Sequence, residues 1–394
     1  MKNAIFFSLT FFALASFARL SPEALAEKAA EGRLTVRDFG AKGDGVTDDT
    51  SAIQAGIDYL VERGGGKLFF PFTTNGYLIA SPAKEFTKDG KLVRAQIIIP
   101  PGKANIRLEG EMPCKLLYNY QVRQRGMATF KPTKFGENTI CNTTLISTWD
   151  APAVTNITER PWAVIAAPEG TGAAGKFSRS MLSFANLEIR VRLDRERMYP
   201  MTTAANFHNI ARVTIEDSQF CLDEAVGDAD LDKELQPNPC ITAGLIASGD
   251  QNDNQIFRNV ASQGFKYGFI FGEHTTAEHL YVHNCEYAIC FADSTHPSII
   301  NRVVAQHNTR IFCTLPNGAF GRKAGWVNLI VNQCDYETGE GTKPIISRMC
   351  YGVHDPDNRF RGSITYLQGF PGNGKCFFPV LGGKKLKLSI LGQK

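Results

Sequence analysis

Residues 36–58 read VRDFGAKGDGVTDDTSAIQAGID, and this stretch decides the fold. Leu34 and Val36 alternate with polar neighbours as a strand start, and Gly40, Gly43 and Gly45 then break the chain into a tight turn. After Asp48, Asp49 and Thr50, the apolar residues Ile53, Ile57 and Leu60 recur at helical spacing, which predicts a helix over 49–62. Asp48 or Asp49 is placed to accept hydrogen bonds from the unpaired N–H groups of its first turn. Asp44, Asp48 and Asp49 therefore read as turn and capping residues. Gly64, Gly65 and Gly66 stop the helix, and short strands follow at 67–71, 77–79, 97–100 and 106–110.

From about 184 to 335 the chain returns to one phrase. It is clearest at Val260–Phe271, Leu280–Phe291 and Val304–Cys313, with looser copies at Val213–Phe220 and Leu329–Tyr336. A period slightly above twenty, with alternating strands and no helical spacing, is that of a stacked β-solenoid, in which each turn buries its inner face only against its neighbours. A leucine-rich repeat needs a Leu-x-x-Leu-x-Leu frame that is absent, and a propeller needs a longer unit. Gly264, Asn284, Asn308 and Asn332 suit the sharp turns between strands. The phase places Phe269, Phe271, Ile289, Phe291, Ile311 and Cys313 inside. Lys266, Gly268, Ile270, Glu286, Ala288, Cys290, Arg310, Phe312 and Thr314 then point outward.

The segment 34–110 closely resembles the N-terminal part of the pectate-lyase-like superfamily, which includes polygalacturonase-like and rhamnogalacturonase-like proteins. The resemblance implies an all-β, right-handed parallel β-helix whose N-terminal end is covered by a short helix. The expected organisation is a signal peptide over 1–18 and one β-helix domain over 19–394. Its solenoid runs from about 34 to 335, with a loop-rich tail from 336. The resemblance also implies a carbohydrate-active protein that cleaves a pectin-like or other uronate-containing polysaccharide, as a hydrolase or a lyase. A non-catalytic glycan-binding or surface protein is the alternative, because the fold hosts both. A hydrolase needs no cofactor; a lyase is expected to use calcium. Polygalacturonase-like enzymes carry Asn-Thr-Asp, Asp-Asp, Gly-His-Gly and Arg-Ile-Lys along successive turns, and none is intact here. Lys266-Tyr267-Gly268 stands where Gly-His-Gly is expected, and Arg310-Ile311-Phe312 partly matches Arg-Ile-Lys.

Lys2 followed by the apolar run Ile5–Ala18 reads as a secretory signal, too short to span a bilayer. A secreted or periplasmic location, without membrane insertion, is expected. All ten cysteines lie after that run, which fits an oxidising compartment. Cys114 with Cys141, Cys221 with Cys240, and Cys350 with Cys376 bracket Pro- or Gly-rich excursions that a disulfide would restrain. Cys285, Cys290, Cys313 and Cys334 sit within strand-like runs as small hydrophobes. A net charge of +4 is too small to indicate nucleic acid, and a monomer acting on a polysaccharide is expected.

Two sets of residues carry candidate chemistry. Lys266, Glu286 and Arg310 form an outward ladder on adjacent turns, with Gly268 and Ala288 leaving room beside it. A carboxylate between cations suits a positioned base or recognition of a substrate carboxylate, and equally an ordinary salt-bridge ladder. Past the same strands lie Glu273, His274, Asp293 and His296. Glu273 and Asp293 share a phase, at a separation suited to paired carboxylates of a glycosidase or to plain turn chemistry. The catalytic candidates are thus Glu273, Glu286 and Asp293; Lys266, Tyr267, His274 and Arg310 are candidate substrate-binding residues. Asp250 and Asp253 form a polar loop or a set of calcium ligands, and 354–358 reads as a Pro-containing turn.

Overall fold

The structure, a computed structural model, describes residues 20–88, 91–114, 142–149, 156–159, 161–168, 179–192, 202–208, 210–223, 242–248, 254–283, 285–292, 294–306, 308, 310–319, 324–337, 351–368 and 380–391. The signal segment, Asp250, Asp253, Asn284, Asp293, Cys141, Cys240, Cys350 and Cys376 fall outside the described residues. The three expected disulfides fall outside them as well.

The chain winds into a coil of parallel strands that form a 14-stranded and a 10-stranded sheet. In the middle of the coil each turn has one long strand, or the short pair Thr275–Ala277 and Leu280–His283, followed by a five-residue strand of the second sheet. Asn254–Gln263 is followed by Tyr267–Phe271, and Ser294–Gln306 by Arg310–Thr314. Among the described residues every strand pairing is parallel except that of Lys84–Lys88 with Lys91–Ile98. This is the right-handed parallel β-helix expected from the repeat, and its handedness is the general one for parallel crossovers.

The core is a set of columns running along the coil. Tyr267 pairs with Tyr287, and Phe269 pairs with Ile289, an offset of 20 residues. On the next turn Ile289 pairs with Phe312, an offset of 23, and Phe312 with Val353. The expected register therefore slips at the third copy. Phe312 is fully buried in the column where Ile311 was expected, and Ile311 is buried beside it at the corner. Two adjacent apolar residues, Ile311 and Phe312, do not fix a period-two phase, since a one-residue shift exchanges the faces.

The helix Thr50–Glu62 covers the N-terminal end, with Ile53, Ile57 and Leu60 sealed into the core. Gly56 is required there, because a Cβ would lie 2.9 Å from Leu68 Cδ2 and 3.1 Å from Phe39 Cδ2. The acidic residues divide the labour. Asp48 Oδ1 accepts from Thr50 N at 3.1 Å and from Ala80 N at 3.1 Å. Asp49 makes no cap bond; it accepts from Lys42 N at 2.7 Å and Gly43 N at 3.0 Å, closing the glycine loop. Asp44 accepts from Val46 N and Thr47 N at 2.9 and 2.7 Å. A second helix, Pro22–Ala30, precedes the motif, with Ser21 Oγ accepting from Ala24 N at 3.3 Å.

Two other expectations change. The solenoid does not end near 335, since Phe360–Gln368 pairs with Val327–Glu337 and Lys385–Leu391 adds the next strand. The Lys-Leu-Lys-Leu run at 385–388 is a strand with period two: Leu386 and Leu388 pack on the core while Lys385 and Lys387 face solvent. Asn332 is no turn residue but lies inside Val327–Glu337, donating from Nδ2 to Asn301 Oδ1 at 2.8 Å. The left-handed corner is built instead by Asn186, Asp217 and Asn259, at φ 58, 46 and 50, and Asn259 Nδ2 donates to Asp217 Oδ1 at 2.9 Å. Gly264 does adopt φ 82, and Asn308 is buried, linking Cys285 N and Val282 O at 2.8 and 2.9 Å.

Candidate functional site

The outward face of the 267–271, 287–291 and 310–314 strands is not an open groove. Ile270, Cys290 and Cys313 are buried in a second apolar cluster with Ala243, Ile246 and Leu315. The 315–319 and 156–159 segments come together near this cluster, where a Cβ on Gly318 would lie 3.5 Å from Thr158 Cγ2. Gly268 and Ala288 leave no space on that face, since both point into the coil. Ala288 belongs to the main core, and a Cβ on Gly268 would meet Val282 Cγ1 at 2.9 Å and Cys285 Sγ at 3.2 Å. At each coil start two consecutive residues turn inward, which strict alternation misses. Cys285, Cys290, Cys313 and Cys334 are buried in or beside strands as expected. Burial pushes the Cys285 thiol up to about 12, so it is no nucleophile.

At the N-terminal ends of these strands the face carries a polar and aromatic patch. Tyr267 and Tyr287 stack at 4.9 Å between ring centroids, and the Arg310 guanidinium lies over the Tyr287 ring at 4.6 Å. Arg310 pairs in register with Tyr287, not with Glu286, yet its Nη1 reaches Glu286 Oε1 at 3.2 Å. The expected ladder of Lys266, Glu286 and Arg310 is therefore a diagonal. Lys266 precedes the Tyr267–Tyr287 pair, and its N–H donates to Thr242 Oγ1 at 3.0 Å. Arg310 Nε is buried without an acceptor. His354 stands edge-on to Tyr287 at 6.1 Å, carried by Tyr351–Asp355 in register with Cys313.

The electrostatics of the patch follow from partial burial. Burial raises the Tyr287 hydroxyl above its usual range, with Arg310 opposing, so the ring keeps its proton. Burial raises Tyr267 further. His354 is lowered from 6.5, by burial first and then by the Arg310 charge, so its imidazole is neutral at pH 7. Tyr287 and His354 were not among the expected site residues. His354 does begin the anticipated turn, where Asn358 N donates to Asp355 O at 3.0 Å, but its ring returns to the patch.

At the other end of the same strands the chain forms a second cluster. Glu273 and His274 follow Phe271 on one turn, and His296 lies on the next, in an irregular step between Ser294 and Ser298. His296 Nδ1 is 2.7 Å from Glu273 Oε2, Thr295 Oγ1 donates to that oxygen at 3.1 Å, and the two imidazoles lie 4.4 Å apart. About 13 Å of strand separates the two clusters, so the sequence candidates divide into two places rather than one. The Glu273 and Asp293 pairing rests on Asp293, outside the described residues.

Calcium takes about six to eight oxygen ligands, and among the described residues neither cluster offers them. The patch has Glu286, already paired to Arg310, and the described residues of the corner offer one carboxylate with two imidazoles.

Residues 34–103 match the model of the family described as rhamnogalacturonase A/epimerase, pectate lyase-like. A stretch of 64 residues is 42% identical to alginate lyase 7 of Azotobacter vinelandii, covering 16% of this chain and 7% of that protein. Mannuronan C5-epimerase AlgE5 of the same organism is 61% identical over 36 residues, covering 9% of this chain and 4% of its own length. The chain thus matches less than a tenth of either relative. Among solved structures, the A-module of Azotobacter vinelandii mannuronan C-5 epimerase AlgE6 is similar over 92% of this chain and all (100%) of its own, at 14% identity and a TM-score of 0.27. A family 28 exopolygalacturonase of Yersinia enterocolitica covers 92% of this chain and 76% of its own, at 12% identity and a TM-score of 0.27. The match over residues 34–103 makes this segment similar to the pectate-lyase-like family, and the parallel coil is the fold which that likeness implies.

Proposed function

We propose that the protein cleaves a uronate-containing polysaccharide by β-elimination at the patch of Tyr287, Arg310, Glu286 and His354. The observation that carries this reading is the contact of Arg310 with both Tyr287 and Glu286 beside a neutral His354. Elimination next to a uronate needs three things: a cation on the carboxylate, a base for the α-proton and an acid for the leaving oxygen. Arg310 supplies the cation, exchanging Glu286 for the substrate carboxylate. His354 takes the α-proton. Tyr287, kept protonated by burial, gives its proton to the leaving oxygen, and Glu286 holds Arg310 in place before substrate arrives. The relatives that match over short stretches are named for action on alginate and mannuronan, which supports a uronate glycan as substrate.

The test is a panel of acidic and neutral polysaccharides, read for both new reducing ends and the absorbance of unsaturated uronate ends. Both signals rising together on a uronate polymer support elimination. Reducing ends without absorbance mean hydrolysis, and binding without either signal means the non-catalytic alternative.

A further inference from the structure

We propose that Glu273, His274 and His296 form a binding site for a divalent transition-metal ion of the zinc type, separate from the Arg310 patch. One ligand atom from each of the three side chains lies within 4.8 Å of the other two, the spacing of a site that an ion can draw together. The local fold builds this convergence from two successive turns. After Phe271 the chain turns at Gly272 and Glu273, and His274 takes the left-handed conformation at φ 55, setting its ring against that of His296. On the next turn the irregular step is pinned from beneath. Ser294 Oγ donates to His296 O at 2.9 Å, and Ser298 Oγ donates to Gly272 O at 3.2 Å. The same hydroxyl network therefore fixes both halves of the site.

A second observation points to a ligand. Glu273 is 5% exposed, and its Oε1 is buried with no hydrogen-bond partner among the described residues, while Oε2 holds His296 and Thr295. A buried carboxylate oxygen without a partner is costly, and an ion is the kind of group that satisfies it. His296 is exposed on the outer side, giving a path of entry. One carboxylate with two imidazoles is a donor set for zinc and its neighbours at about 2.0–2.2 Å, with a position left open for water or another ligand. It is a poor set for calcium or magnesium, which take oxygen ligands.

The experiment uses the purified protein, stripped with chelator and titrated with zinc at neutral pH by calorimetry and equilibrium dialysis, with cobalt absorption to report the ligands. One zinc ion per chain is expected, with cobalt loaded into the stripped protein giving the visible spectrum of a nitrogen and oxygen site until zinc displaces it, and with binding unaffected by excess calcium. His296→Ala, at an exposed position, and Glu273→Gln should each weaken zinc by more than about tenfold, with circular dichroism unchanged. If Glu273→Gln does not fold, His296→Ala and His274→Ala carry the test. No stoichiometric zinc in the wild type, equal competition by calcium, or affinity unchanged in both histidine variants would overturn the assignment. The readout needs no polysaccharide, so its failure leaves the elimination reading untouched.

Discussion

Phe312 lies in direct register above Ile289, and the two are fully buried on successive turns of the second sheet. Cutting either side chain back to alanine leaves a hole in a column that cannot collapse without disturbing the parallel ladder. Ile289→Ala should cost about 2–5 kcal/mol and Phe312→Ala about 3–5 kcal/mol. Glu286→Gln, which removes one partly exposed ion pair, should cost less than about 1 kcal/mol. Urea unfolding of the three variants separates these outcomes, and a large loss in Glu286→Gln would show that the pair is structural.

The N-terminal cap predicts an acid-sensitive region. Asp48 is opposed by burial but held at about 2 by hydrogen bonds from Ser81, Thr50 and Ala80, and Asp44 at about 2 by bonds from Thr47 and Val46. Both folded values lie below the usual carboxylate value of 3.8. The stability these groups contribute is therefore present above pH of about 4 and is lost as pH falls toward about 2. Asp49 is raised, mainly by burial, so its contribution has the opposite sign: it is present below the unfolded value and lost as pH rises through the folded one. Melting temperatures across this range should fall with acid. In Asp48→Asn the acid slope should flatten, and an unchanged slope would remove Asp48 from the cap's acid response.

How much of this was legible beforehand depended on redundancy. The entrance motif could be read because Gly43, Asp48, Asp49, Ile53 and Ile57 each specify the same strand, loop and helix. The solenoid could be read because its strands repeat in one period. The register failed at Ile311-Phe312, where two neighbouring apolar residues fit either phase and a longer corner lengthens one coil by three residues. The patch was half-visible. Glu286 and Arg310 came from their phase and Tyr267 from its place in the expected Gly-His-Gly position, but Tyr287 and His354 depend on side chains reaching across coils, which no spacing encodes. The covering of Ile270 and Cys290 was hidden for the same reason, because it comes from residues far away in sequence.

Gly362 tests how tightly the late coils are packed. Its φ is 109, and a Cβ there would lie 2.0 Å from Leu329 O on the neighbouring strand. Gly362→Ala must therefore push two paired strands apart, since the obstacle is backbone rather than a movable side chain. A fall in thermal stability is expected, larger than for Gly32→Ala, where the left-handed φ of 67 is shared but no atom lies within 4 Å. Equal effects in the two variants would show that the strain is conformational alone.

The patch makes a pH prediction with a definite sign. His354 acts as a base only when neutral, and its value lies below 6.5 because of burial and the nearby Arg310 charge. Turnover should therefore rise with pH through a point below 6.5 and stay level through neutrality, falling only where Tyr287 loses its proton, above the usual tyrosine value of 10.0. Removing the Arg310 charge relieves one of the two causes, so Arg310→Gln should move the acid limb to higher pH as well as lower the rate. His354→Asn and Tyr287→Phe should each lower turnover by about 10²- to 10⁴-fold with little change in KM, as expected for groups that act on protons in the transition state. Glu286→Ala should act chiefly on KM by releasing Arg310, whereas Glu273→Ala, at the far end of the strands, should leave the acid limb where it is. An acid limb that stays fixed in Arg310→Gln and vanishes in Glu273→Ala would move the base from His354 to the corner cluster.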